Sequence, residues 1–165
     1  MVIIKSAAEI TEMKLANRIV AEVLTDLEKF IKPGMTTAEI DRRAEAIIRG
    51  HGAEPSFKGY GHPPFPASVC ISINEAVVHG IPSDRVIIKE GDIVSVDCGA
   101  YINGWHGDAA RTFMIGQVAP EVRELVEVTE QSFWAGFAQA LPGNRIGDIS
   151  SAIQKVAESH GFGIV

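Results

Sequence analysis

Asp97 and Asp108 are the residues of this sequence whose setting most calls for chemistry. Asn103-Gly104 lies between two β-rich runs, 92–102 and 105–115, and an Asn-Gly pair so placed is the strongest short-range signal of a two-residue hairpin turn. Such a turn pairs Ile102 with Trp105, hence Asp97 with Ala110 and Gly99 with Asp108. Both aspartates then share one sheet face as diagonal neighbours, their Cα atoms about 7–8 Å apart. Carboxylates that close repel and desolvate one another unless a cation sits between them or one is protonated. A divalent metal is the simplest remedy. Asp97 also follows Ile93-Val94-Ser95-Val96, which reads as a buried strand where an unpaired charge is costly. The competing reading is that both carboxylates accept hydrogen bonds from nearby loops, and a longer turn or a bulge would change the facing.

His106 shares the face of Asp108 in a regular hairpin and is a further ligand candidate by parity, although a histidine beside Gly107 at a strand start also reads as structural. His79 precedes Gly80-Ile81-Pro82, an abrupt strand exit where a neutral imidazole could exchange a hydrogen bond with a reacting carbonyl. Taken alone, it reads first as a satisfied structural histidine. Phe57, Tyr60 and Phe65 stand in a Gly/Pro-rich stretch and could line an apolar side-chain pocket; the competing reading is a plug over the helices. Cys70 and Cys98 read most simply as small core residues. No G-x-S-x-G, P-loop, C-x-x-C or HExxH pattern occurs, so nucleophilic serine or cysteine chemistry has no support.

The elements that must position these residues begin with two helices. Ser6 and Glu9 form a capping box, after which Ile10, Met13, Ala16, Val20, Val23 and Leu27 recur at helical spacing up to Lys32-Pro33-Gly34. Thr36 and Glu39 form a second box, opening a helix with Ile40, Ala44 and Ile47 on one face that Gly50 and Gly52 end. Residues 55–66 have no period and read as a loop. Residues 68–74, 77–80 and 85–88 read as short extended segments before the hairpin. Helix returns at Pro120, stops at Leu141-Pro142-Gly143, and a last helix runs over 146–159.

A repeat underlies this order. At a constant offset of 109 residues, Pro33-Gly34 recurs as Pro142-Gly143, Ile40 as Ile149, His51-Gly52 as His160-Gly161, Glu39 as Asp148 and Glu12 as Glu121. Helix, Pro-Gly, capped helix, His-Gly thus appears twice, but only the first copy is followed by strands. A chance match of two helical hairpins is the bland reading; a two-fold protein cut short is the better one.

The 165 residues suit one domain of ordinary size. With 15 basic and 21 acidic residues the net charge is −6, which makes nucleic acid held through counterion release a poor partner. Apolar residues are 46% and charged residues 22% of the chain, which argues against disorder. No apolar run reaches membrane-spanning length, and Glu9 and Glu12 stand where a signal peptide would be apolar. Two cysteines define no disulfide framework and fit a reducing, cytoplasmic compartment.

Asn74-Glu75 followed by His79-Gly80-Ile81-Pro82, then Gly91-Asp92-Ile93-Val94 leading to Asp97, then His106-Gly107-Asp108 leading to Thr112-Phe113, together resemble type I methionine aminopeptidase. The match runs from the first helix to the last residue. It implies an α+β protein of the pita-bread fold, in which two pseudo-symmetric halves enclose an antiparallel sheet covered by helices. Residues 1–115 would be the first pseudo-repeat and 116–165 the helical start of the second, in a single, truncated catalytic domain. The implied activity is removal of the initiator methionine from nascent polypeptides by a water bridging two divalent ions (Co, Mn, Fe or Zn), about 3.5–4 Å apart in such sites. By the same resemblance Asp97 is the bidentate ligand of one metal and Asp108 bridges both. His79 contacts the scissile peptide, and Tyr60, Phe65 and Cys70, with Phe57 beside them, form the pocket for the methionine side chain. Thr112 backs the bridging aspartate. His106 belongs to the motif but is not a ligand in the family. The aromatic loop is two residues longer around 62–64 than the bacterial pattern.

The family completes its site with one histidine and two glutamates from the second half, none of which is matched in this sequence. Weak or partial metal binding follows, and the expectation is an incomplete chain, inactive by itself unless complemented. Its expected partners are the N-terminal methionine of nascent peptides, with the ribosome as a further one and self-association through a face left by the missing half. Neither a membrane nor direct contact with nucleic acid is expected. The competing functions are a non-catalytic pita-bread binding module, which intact Asp97, Asp108 and His79 disfavour, a proline-specific aminopeptidase or prolidase, and a two-metal nuclease, which the net charge disfavours.

Overall fold

Ser6 opens α1 (Ala7–Phe30) with the expected box: its hydroxyl accepts the Glu9 N–H at 3.3 Å, and the Glu9 carboxylate accepts the Ser6 N–H at 2.7 Å. Thr36 and Glu39 repeat the arrangement at α2 (Thr37–Gly50), at 3.2 and 2.7 Å. The structure is a computed structural model that describes residues 3–164. These fall into two units, 3–117 and 118–164.

The first unit is an α+β layer in which β1 (Glu54–Pro55), β2 (Val69–Ile73), β3 (Ile93–Ile102) and β4 (Trp105–Met114) form one antiparallel sheet. β4 runs along one edge of β3, while β2 and then β1 follow one another along the other edge. α1 lies over β3 and β4, and α2 over β1 and β2. Ile19, Val20, Val23, Leu24 and Leu27 of α1 and Ile40, Ala44 and Ile48 of α2 meet Val69, Ile71, Val94, Val96, Cys98 and Ala100 in one core. Burial of each large aliphatic side chain contributes about 1.5–3 kcal/mol. Ile10, expected on the buried stripe of α1, is 42% exposed, since the packed part of the helix begins at Ala16. Gly107 brings α1 down onto the sheet: a Cβ there would lie 2.5 Å from the backbone of Ala16 and Asn17.

Two expected strands are absent. Residues 77–80 turn instead of extending, because Asn74 (φ 52°) and His79 (φ 59°) both adopt left-handed backbone. Residues 85–88 make a single bridge, Thr36 to Ile87, flanked by hydrogen bonds from Gly34 N–H to Ile88 O (2.8 Å) and from Thr37 N–H to Val86 O (3.0 Å). β1 is a short strand that the sequence does not mark, its second residue, Pro55, falling at the start of the stretch read as loop.

The second unit holds α3 (Pro120–Phe137) and α4 (Ile146–Ser159). α3 takes proline in its first turn, where no N–H is missed. It ends at Phe137, short of the expected Leu141-Pro142-Gly143 stop. Gly136 lets α4 approach, since a Cβ there would lie 2.6 Å from Ile153. No helix among the described residues is long and apolar enough to cross a membrane.

Candidate active site

The hairpin register sets the site. Ile102 pairs with Trp105, Asp97 with Ala110 and Gly99 with Asp108, so the aspartates are diagonal neighbours on one face. Val94, Val96, Cys98 and Ala100 point the other way, into the core. Asp97 is half-buried and Asp108 exposed. Burial foremost, then the negative charge of Asp108 and a hydrogen bond with it, holds the Asp97 carboxyl above the usual aspartate range, while His79 pulls it down. The pair therefore bears the mutual cost that the sequence spacing implies.

Cys70 faces Asp97 across the β2–β3 ladder. Burial pushes its thiol up to about 11, with the charges of Asp97 and Asp108 adding to the effect. It is buried as a core residue would be, yet it lies on the aspartates' face of the sheet. Cys98, on the core face, is pushed up to about 12, chiefly by burial. His79 is exposed but anchored through its neighbour. The Gly80 N–H donates to Ser72 Oγ at 3.0 Å, Gly80 O accepts the Ile71 N–H at 2.8 Å, and a Cβ on Gly80 would lie 2.0 Å from Ile71 O. Only glycine fits after His79, and this contact holds the histidine beside β2.

Thr112 lies elsewhere than the resemblance implies. Its hydroxyl meets Ser95 Oγ at 2.8 Å, and Ser95 is its register partner. It thus flanks Asp97, whereas Asp108 is four residues back along β4, about 13 Å at strand rise. His106 is occupied as well: its Nδ1 is 2.9 Å from Ser56 Oγ and its ring lies 4.6 Å from that of Tyr101.

Of the loop aromatics, Phe57 reaches the aspartates' face, for a Cβ on Gly99 would lie 2.8 Å from its Cε1, and Gly99 pairs with Asp108. Tyr60 is 79% exposed. Phe65 is half-buried, and the loop closes between these two, with Gly59 N–H on Phe65 O and Phe65 N–H on Tyr60 O, both 2.8 Å. Two site-face residues, Ser72 and Ser95, escape the sequence reading. Parity along β3 places Ser95 with Asp97 and could have found it; Ser72 depends on the β2–β3 register, which no local turn fixes.

Two oxygen-rich side chains forced together are a donor set that suits a hard or borderline divalent ion. Among the described residues no group of three or more His, Cys, Asp and Glu side chains comes together to hold one. This chain therefore presents a carboxylate pair, with His79 and Cys70 beside it.

Residues 11–165 match metallopeptidase family M24. The whole chain aligns with a methionine aminopeptidase of Clostridium acetobutylicum at 55% identity and with methionine aminopeptidase 1 of Bacillus subtilis at 47%, in each case over 65% of the relative's length. The crystal structure of a methionine aminopeptidase from Thermotoga maritima superposes with a TM-score of 0.96 at 40% identity, covering 100% of this chain and 66% of that one. The chain thus spans about two thirds of the length of the proteins it matches.

Proposed function

This chain belongs to metallopeptidase family M24, and on that premise we propose that it supplies the N-terminal part of an enzyme that removes the initiator methionine from nascent polypeptides. Its α+β sheet is that of the pita-bread fold. The observation that carries the proposal is the diagonal pairing of Asp97 and Asp108, with Cys70 and His79 alongside.

Asp97 and Asp108 would hold divalent ions, which when bound supply Lewis acidity at the scissile carbonyl and a nucleophile at neutral pH. The remaining roles fall to the chain's own side chains. His79, fixed by the tucked Gly80, contacts the scissile peptide and stabilises charge developing on its oxygen. Cys70 and Phe57 bound the pocket for the methionine side chain, with Tyr60 and Phe65 closing its outer wall. Thr112, through Ser95, keeps the strand beside Asp97 in place. The enzyme would act in the cytoplasm on chains emerging from the ribosome.

We further propose that residues 1–115 and 116–165 are a pseudo-repeat and the start of its second copy. Glu39 and Asp148, 109 residues apart, each accept the N–H of their helix's cap residue at 2.7 Å. Gly34 and Gly143 share positive φ (91° and 97°), as do Gly52 and Gly161 (72° and 79°). On this reading a polypeptide of these 165 residues binds metal weakly and has little activity until complemented.

The test is release of free methionine from Met-Gly or Met-Ala peptides with added Mn or Co, by this chain alone and with the remaining third of a relative supplied, using Asp108→Asn as control. Aspartate-dependent turnover that needs the supplement supports the proposal. No turnover in either case points to a binding module, and turnover by the chain alone overturns the incomplete-site reading.

A further inference from the structure

We propose that Asp41 and Glu45, one turn apart on α2, clamp the aromatic loop 56–68 at both ends and so set where Cys70 and Phe57 stand over the aspartate pair. The functional meaning of the clamp rests on the pocket reading above.

At the far end of the loop, a single oxygen, Asp41 Oδ1, accepts the N–H groups of Ser68 (2.8 Å) and Val69 (3.0 Å). The next residue is Cys70, which faces Asp97. At the near end, Glu45 accepts from Lys58 Nζ at 2.7 Å and is itself held by Arg49 Nε at 2.8 Å. Residues four apart share one helix face, so a single ridge of α2 meets both ends. Besides these tethers, the hydrogen bonds of the loop among the described residues run within it, with Tyr60 N–H on Phe57 O at 3.0 Å and the closure of Gly59 and Tyr60 on Phe65, and through Ser56 to the hairpin, with Ser56 N–H on Gly99 O at 3.0 Å and Ser56 Oγ 2.9 Å from His106 Nδ1. Ser68 and Val69 are both 0% exposed. Without Asp41 their amides would be buried donors without a partner, a cost that favours local release of the strand start. Asp41 is thus a positioning residue that acts on the site through β2.

The two cysteines provide a readout that needs neither metal nor activity. Cys70 is 6% exposed on the site face, and Cys98 is 0% exposed in the core. Labelling of the full 165-residue chain with methyl methanethiosulfonate under native conditions, followed by mass spectrometry, therefore separates local opening from global unfolding. In Asp41→Ala, labelling of Cys70 should accelerate about tenfold or more relative to Cys98, the equivalent of losing one charged hydrogen bond. Asp41→Asn keeps an acceptor oxygen and should restore most of the protection. Glu45→Gln leaves the Asp41 bonds in place and should still speed Cys70 a few-fold. Should Asp41→Ala not fold, Asp41→Asn and Glu45→Gln decide the matter between them. Equal acceleration of both cysteines, or none at Cys70, overturns the clamp. Free L-methionine added to the unsubstituted chain probes the pocket separately. If it slows Cys70 labelling, the pocket reading and the clamp's purpose are supported together. If it does not, while the variants behave as expected, the pocket reading falls and the clamp stands.

Discussion

Phe57 rests on Gly99, the β3 residue paired with Asp108, so closely that a Cβ at position 99 would lie 2.8 Å from both the ring and Ser56 Cβ. Gly99→Ala must therefore push the aromatic loop off the sheet. The expected cost is about 1–3 kcal/mol of stability, as for overpacking elsewhere. Urea unfolding measures it, and an unchanged midpoint would show that the ring can swing aside freely.

Asp108→Asn should separate the metal from the apo protein. It removes the charge that burdens Asp97, so the metal-free variant should melt at the same temperature as the unsubstituted chain or higher. Any stabilisation by added Mn or Co should be lost at the same time. A thermal-shift titration reads both, and a variant that still gains stability from metal would exclude Asp108 as a ligand.

Glu45 carries the pH dependence best defined outside the site. The Lys58 ammonium foremost, then the Arg49 guanidinium, pulls its carboxyl down to about 2. A carboxyl lowered on folding stabilises the protein fully above its ordinary range near 4.5, and that contribution is lost as the pH falls from there towards 2. Side chains of Lys58 and Arg49 are 41% and 52% exposed, and water screens the pair, which limits the effect to about 1 kcal/mol or less. Glu45→Gln should flatten the acid limb of the melting curve between pH 5 and 2. Parallel limbs for the two proteins would contradict this.

Gly107→Ala tests how α1 is seated. Its Cβ would lie 2.5 Å from α1 backbone, which has no flexible side chain to yield. The loss should reach about 3 kcal/mol, at the upper end for overpacking, and circular-dichroism melts of the pair measure it.

Much of this arrangement is legible in the sequence wherever a local signal fixes geometry. Asn103-Gly104 alone determines the β3–β4 register and with it the facing of Asp97 and Asp108, and the two Ser/Thr boxes fix the starts of α1 and α2. What escapes depends on tertiary contact. Residues 77–80 carry valines suited to a strand, but Asn74 and His79 adopt left-handed backbone and Gly80 packs directly on Ile71. The Thr112 partner follows from register, not from its place in a motif. Asp41 looks like an ordinary exposed helix residue until the start of β2 is placed against it.

The two-residue turn at Asn103-Gly104 also bears on the order of folding. A hairpin of this kind closes in about 1–10 μs, whereas the Asp41 tether must bridge 27 residues to Ser68, a contact separation that slows assembly. We expect the carboxylate pair to form first and to carry its repulsion through the transition state, ahead of the wall that later faces it. Folding kinetics of Gly104→Ala, whose φ of 84° disfavours alanine, would give a φ-value near one on this order and near zero if the hairpin closes last.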